Sequence, residues 1–272
     1  MKKIKKGDIV GRISYGKDIL FVVDRIIKTN SRNEIAILKG LTIRIKADSN
    51  IEDLEVIEKR IVKEKIQLFE NRIEDELKKC LKYIELDKRG KDVLAGKILH
   101  LDGDKKYSEK SLRCYRSLGL EAIVKNIKEN EQVRFVKSLL ERYRPDILVI
   151  TGHDGMLRGG TKYNDIYNYR NSRYFIETVK EARKYDKQKG KKLVIFAGAC
   201  QSYFEAIISA GANFASSPAR ILIDFLDPLV VAEKIALTEK YKYITIDDIA
   251  YELRDGRDGI GGIGANGKMT KC

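Results

Sequence analysis

The chain has 272 residues, 43% hydrophobic and 35% charged, with three prolines and a net charge of +14. That composition describes a globular chain of one or two domains able to bury a sizeable core, and it excludes extended disorder. The positive charge is evenly divided, with 23 Lys+Arg against 16 Asp+Glu in residues 1–91 and 31 against 24 in residues 92–272, signs interleaved throughout, which argues for a solvated surface and against nucleic acid as a partner.

The first fifty residues read as short strands, GDIVGR, ILFVVDRII, EIAILKG and LTIRIKAD, separated by Gly, Asn, Ser and Asp turns. They predict a small N-terminal β-barrel with an SH3-like rhythm over residues 1–50. From Ile51 to Lys91 apolar residues recur at helical spacing among charges (Ile57, Ile61, Leu68, Ile73, Leu77, Leu81, Ile84), which predicts one or two exposed connecting helices over 51–91. The polar, glycine-containing LDKRGKDV marks a boundary before a third unit, residues 92–272. There, strand-like KILHLDGD, EAIVKNI, DILVITGHDG and KLVIFAGACQS alternate with helices near 106–118, 130–143 and 172–186. Such repetition predicts an α/β fold, a parallel sheet with helices on both faces, and runs such as ILVI and LVIF are apolar at consecutive positions, as doubly covered strands must be. No run approaches the roughly 20 apolar residues of a membrane span, and the basic start MKKIKKGDIV lacks the apolar core of a secretory signal, so the chain is expected inside a cell.

In parallel sheets the ligand site lies beyond the carboxyl ends of the strands, and Asp102, His153 and Cys200 each follow a predicted strand. After Cys200, Ser202-Tyr203-Phe204-Glu205 has the form of a capping box, so a helix should start two residues beyond the thiol and favour its thiolate. His153 precedes Cys200 by 47 residues on another strand end, and neighbouring strands lie about 4.8 Å apart, within reach of one substrate. Together they suggest a nucleophilic Cys200 with His153 as its proton-transfer partner, and an oxyanion held by backbone N–H groups at Cys200 and near Asp154 or Gly155. Cys80, Cys114 and Cys272 lie far apart in sequence, without a C-x-x-C pair, and with only His100 and His153 available no zinc pattern forms, so neither metal nor organic cofactor is expected. His100, inside a predicted strand, reads as structural. GIGGIG at 259–264 satisfies G-x-G-x-x-G but has neither a preceding strand nor room for a βαβ unit, and reads as a loop.

The His-containing turn followed by an apolar block ending in Ala199-Cys200 resembles the caspase, gingipain and clostripain superfamily of cysteine peptidases. More closely, GDIVGRISYGKDILF, LHLDGD, RPDILVITGHDG, VIFAGACQSYFEA and AGANFASSP resemble the YabG family of sporulation-specific proteases across nearly the whole chain. The resemblance implies a caspase-like sheet and an endopeptidase of the mother cell and spore coat. It also implies spore coat and germination-related proteins as partners, cut after arginine. One departure is Asp154, which stands between His153 and Gly155 where caspase-type enzymes have Gly directly after His. If arginine is preferred, Asp102 and Asp104 are candidates to receive its guanidinium, with Asp154, Asp224 and Asp227 as others. Ser216 and Ser217 either line the cleft or simply turn the chain. Arg89, in the boundary loop, is the expected point of self-processing. The rivals are an amidotransferase-like hydrolase, which needs a His after its Cys and finds none here, and a non-catalytic basic scaffold for coat assembly or nucleic acid.

Overall fold

The computed structural model describes residues 3–28, 34–87, 93–157 and 163–271. Arg89 and its loop therefore lie outside the described residues, as does Cys272.

Strands β1 (Ile9–Arg12), β2 (Leu20–Lys28), β3 (Glu34–Gly40), β4 (Lys46–Asn50) and β5 (Leu54–Val56) form one antiparallel sheet in the order β4-β3-β2-β1-β5. It is an open sheet, so the expected barrel is corrected: β4 pairs only with β3 and β5 only with β1 among the described residues. Closure needs its two edge strands to meet, which no local alternation pattern specifies. The fourth predicted strand also begins late, at Lys46, because residues 41–44 form the turn from β3, closed by the Gly40 N–H on the Ile45 carbonyl at 2.9 Å, and Ile45 also bridges Asp154.

One continuous helix, α1 (Lys59–Asp87), follows. It packs Phe69 and Ile73 into the core, with the Phe69 ring edge-on to Phe225 at 5.9 Å, so its apolar stripe is more than a connector's surface. Phe21, Val23 and Leu38 of the first sheet belong to the same apolar cluster.

The second sheet is built from β7 (Ile98–Asp102), β8 (Ala122–Asn126), β9 (Ile147–Thr151), β10 (Val194–Ala197), β11 (Phe214–Ser216) and β13 (Ile260–Gly262), in the order β13-β11-β10-β9-β7-β8. All neighbours are parallel except the edge strand β13. Short pairs complete the fold: β6 (Val93–Leu94) with β15 (Thr270–Lys271), and β12 (Tyr243–Ile244) with β14 (Ala265–Asn266). The glycine-rich 259–264 run is thus partly strand and not a loop. Its glycines allow close backbone approach, since a Cβ on Gly262 would lie 2.3 Å from the Asn213 carbonyl oxygen.

Successive residues of the central strands serve opposite faces. Ile98, Ile147, Val149, Val194 and Phe196 pack toward α2 (Lys105–Ser117) and α6 (Asp227–Leu237). Leu99, Leu101, Leu148, Ile150 and Ile195 pack toward α3 (Glu129–Tyr143), α4 (Ser172–Lys189) and α5 (Phe204–Ser209). A mixed α/β fold with a mostly parallel, helix-flanked sheet results. The single turn α7 (Gly256–Gly259) leads into β13. No helix among the described residues is long and apolar enough to cross a membrane.

Candidate active site

Register sets the site. In the parallel pair β9/β10, Ile150 stands opposite Ala197, so three residues further along each chain stand His153 and Cys200. In β7/β9, Asp102 stands opposite Thr151. All three candidate residues therefore leave one edge of the sheet side by side, beyond its carboxyl ends.

The loop carrying Cys200 is tightly wound. Gly198 has φ 117°, Gln201 has φ 55°, and the Ser202 N–H closes a turn on the Ala199 carbonyl at 3.3 Å. The expected capping box does not form: α5 starts at Phe204, with Tyr203 at its N-cap and no side-chain cap. The Ser202 hydroxyl is engaged elsewhere, accepting from the Ala199 N–H at 2.9 Å and donating to Asp154 Oδ2 at 2.9 Å, while Glu205 pairs with Arg220. The expected lowering of the thiol pKa fails too. Cys200 is wholly buried, with Sγ 3.8 Å from the Ile223 carbonyl oxygen, and burial pushes its pKa up to about 12.

His153 is held by its backbone. Its N–H donates to Glu129 Oε1 at 2.7 Å and its carbonyl accepts from Asn171 Nδ2 at 2.5 Å. The Glu129 carboxylate sits between two glycines, because a Cβ on Gly103 or Gly152 would lie 2.3 or 2.5 Å from it. The imidazole meets the Tyr107 ring edge-on at 5.7 Å, and neither ring nitrogen has a hydrogen-bond partner among the described residues. Burial is the main cause that takes its pKa down to about 4. Asp104 opposes this, and Lys39, Arg44 and Lys46 add to it. At pH 7 both thiol and imidazole are therefore uncharged in this conformation.

Asp154, the departure noted above, is a hub. Its Oδ1 accepts from the N–H groups of Gly155 and Asn171, and its Oδ2 from the hydroxyls of Ser172 and Ser202. Ser202 belongs to the cysteine loop, so this carboxylate ties the His153 loop to the Cys200 loop. Gln201 makes a second tie, accepting from the Met156 N–H at 3.2 Å.

Asp102 is fully buried and already engaged. It accepts from Arg44 Nη2 at 2.7 Å, from Thr151 Oγ1 at 2.8 Å and from the Asp104 N–H at 2.8 Å. Thr151 spends its one proton on Asp102, so the His100 Nε2 at 2.7 Å donates to Thr151 and Nδ1 accepts from Tyr115. This is the neutral tautomer, in keeping with a pKa that burial drives well below the usual histidine range. Asp104 caps α2, accepting from the N–H groups of Lys106 and Tyr107. Asp224 pairs with Arg72 at 2.6 Å and Asp227 accepts from the Asp224 N–H, both at a cavity of about 340 Å³ that includes neither Cys200 nor His153 in its lining. Ser216 ends β11 fully buried with a hydroxyl lacking a partner among the described residues. Ser217, at φ 64°, donates to the Ile221 carbonyl and accepts from the Gln201 N–H. Among the described residues no group of three His, Cys, Asp or Glu side chains is arranged to hold a metal.

Two of these features escaped the sequence analysis, Glu129 and Arg44. Glu129 reads only as an acidic helix start, whereas its distant glycine partners, Gly103 and Gly152, each follow a strand and were the available signal. Arg44 sits in an alternating stretch where it reads as a strand's outward side chain.

A comparison with solved structures finds the receiver domain of the histidine kinase CKI1 from Arabidopsis thaliana, 14% identical, covering 43% of this chain and 76% of that one with a TM-score of 0.28, too distant to support any inference. Among curated proteins, the chain is 38% identical to the sporulation-specific protease YabG of Bacillus subtilis (strain 168), over 97% of its own length and 95% of the relative's. The family model described as YabG peptidase U57 matches residues 5–272. The chain thus belongs to the YabG peptidase U57 family and is a protease by that kinship.

Proposed function

We propose that this protease is a cysteine endopeptidase in which Cys200 attacks the scissile carbonyl and His153 passes the proton to the leaving amine. The observation that carries this reading is the β9/β10 register, which brings a thiol and an imidazole to equivalent positions beyond adjacent strand ends. The thiol attack forms a thioester and breaks the C–N bond, His153 protonates the departing amine, and water then hydrolyses the thioester. The N–H groups of Asp154 and Gly155 are the proposed oxyanion donors, although the Gly155 N–H is turned to Asp154 Oδ1 in this conformation. Asp102 is the proposed acid for a substrate arginine, supported by its existing hold on a guanidinium. Asp104 would add charge nearby, and Ser216 and Ser217 would line the cleft. The proposed substrates are spore coat and germination-related proteins met in the mother cell and the coat, with cleavage of the chain itself after Arg89 as a further site.

Alkylation tests the nucleophile. One equivalent of iodoacetamide bound at Cys200 should abolish peptide cleavage, and the loss should persist in a Cys114→Ala protein. Because burial holds the thiol near pKa 12, inactivation should quicken about tenfold per pH unit from pH 7 to 9, following the thiolate fraction. EDTA should leave activity unchanged. Full activity with Cys200 alkylated, or EDTA inactivation reversed by zinc, would refute the assignment.

A further inference from the structure

The segment linking β3 to β4 does something a sheet connection does not require. While Ile45 stays bonded to β3 through the Gly40 N–H at 2.9 Å, its other edge and the Arg44 side chain reach the second sheet's carboxyl edge at Asp154 and Asp102. Arg44 is 1% exposed, its Nη2 on Asp102 at 2.7 Å and its guanidinium carbon 5.0 Å from the Tyr107 ring centroid and 5.1 Å from that of Phe225. Its charge reaches both Cys200 and His153. An acid beside a stacked pair of aromatic rings, here Tyr107 and Phe225 at 5.5 Å, is a binding place for an arginine side chain.

The backbone contacts are independent of that side chain and point the same way. The Asp154 N–H donates to the Arg44 carbonyl at 3.3 Å, the Lys46 N–H donates to the Asp154 carbonyl at 2.7 Å, and Ile45 and Asp154 form a parallel bridge. An extended segment pairing its main chain with the rim of a cleft, while one side chain fills a pocket, is how proteases and other peptide binders hold peptides. The N–H on the Arg44 carbonyl belongs to Asp154, a proposed oxyanion donor. Gly155 makes the approach possible, since a Cβ there would lie 2.3 Å from the Lys46 carbonyl oxygen. Arg44 is also poorly satisfied for a permanent structural cation: its Nε and Nη1 are buried without a hydrogen-bond partner among the described residues. Buried charges kept for stability are normally paired at every donor.

We infer that residues 43–46 occupy the substrate cleft as an internal ligand, with Arg44 in the subsite that takes a substrate's arginine, so that the N-terminal sheet blocks the protease until this segment withdraws. The inference rests on the reading of Cys200, His153 and Asp102 proposed above.

The test compares full-length wild type, Arg44→Gln and Asp48→Asn. The last leaves the segment and the dyad untouched but weakens the Arg170–Asp48 ion pair that anchors β4 beside it. Each protein is treated with a peptidyl-arginine chloromethyl ketone and assayed with an arginyl peptide, after melting curves establish that it is folded. Inactivation and peptide cleavage should both quicken, about tenfold or more for Arg44→Gln and a few-fold for Asp48→Asn, because more of each population has an open cleft. A peptide of sequence LTIRIK should slow Arg44→Gln again, and LTIQIK should not. A wild-type chain cut between Arg44 and Ile45, and whole when Cys200 is Ala, would support the same placement. Rates equal to wild type in a folded, active Asp48→Asn and Arg44→Gln pair would overturn the internal ligand while leaving the dyad standing. Peptide cleavage that continues with Cys200 covalently modified in all three proteins would overturn the dyad, and the internal ligand with it.

Discussion

Cys200→Ala and His153→Ala should each lower peptide cleavage by about a thousandfold or more while leaving the melting temperature nearly unchanged, and the double variant should be scarcely slower than either single one. The non-additivity follows from the chemistry. Without the thiol there is no thioester for the imidazole to help form, and without the imidazole the leaving amine has no proton donor within the site. The thiol is small and makes only a weak contact with the Ile223 carbonyl, so its loss costs little packing. Removing the His153 ring vacates an edge contact with Tyr107, but the loop backbone stays tied through Glu129 and Asn171. A folded single variant retaining more than a few percent of wild-type turnover would break the assignment. A proteolysis assay on the two purified proteins decides it, and also separates the peptidase reading from the rival of a non-catalytic basic scaffold, which expects no change.

The parallel sheet was legible because its strands are buried on both faces and must be apolar at consecutive positions, as in ILVI and LVIF. Once strand ends are known, the carboxyl-end rule selects Asp102, His153 and Cys200 without further information. What could not be read was long-range competition. The Ser202/Glu205 box is a sound local signal, but Asp154 takes the Ser202 proton and Arg220 takes Glu205, and neither partner is near in sequence. The thiol's environment was misjudged for the same reason. A helix end nearby was visible, whereas the complete burial that outweighs it depends on how the segment after β11, through Ser217, Ile221 and Ile223, closes on the loop. Arg44 shows the limit most plainly: LTIRIKAD has the pattern of a strand, but its first four residues form the turn from β3, and Ile45 pairs on its other edge with Asp154. That pairing joins residues over a hundred positions apart.

Asp154→Ala should be the most damaging substitution outside the dyad, lowering stability by about 3–5 kcal/mol because four buried donors lose their common acceptor. For a chain of this size that is a fall of about 10 °C in melting temperature. Ser202→Ala removes one of the four and should cost about 1–2 kcal/mol, and the two changes together should cost less than their sum, since both cut the same tie. Asp154→Asn separates hydrogen bonding from charge. It keeps an acceptor for the two N–H groups and offers its amide to hydroxyls that can turn to accept, so at neutral pH it should lose far less than Ala. The pH dependence carries a definite sign. Burial raises the Asp154 pKa to about 6 against the offset of its hydrogen bonds, so the folded state holds this proton more tightly than the unfolded chain, whose value is 3.8. Its stabilising contribution is complete below pH 3.8 and is lost as pH rises through about 6, a swing of about 3 kcal/mol. Asn has no proton to lose, so the melting temperature of Asp154→Asn should gain on wild type between pH 4 and pH 7. A gap that stays constant across that range would mean that Asp154 is ionised throughout, and that the charge itself, held by four donors, locks the His153 loop to the Cys200 loop.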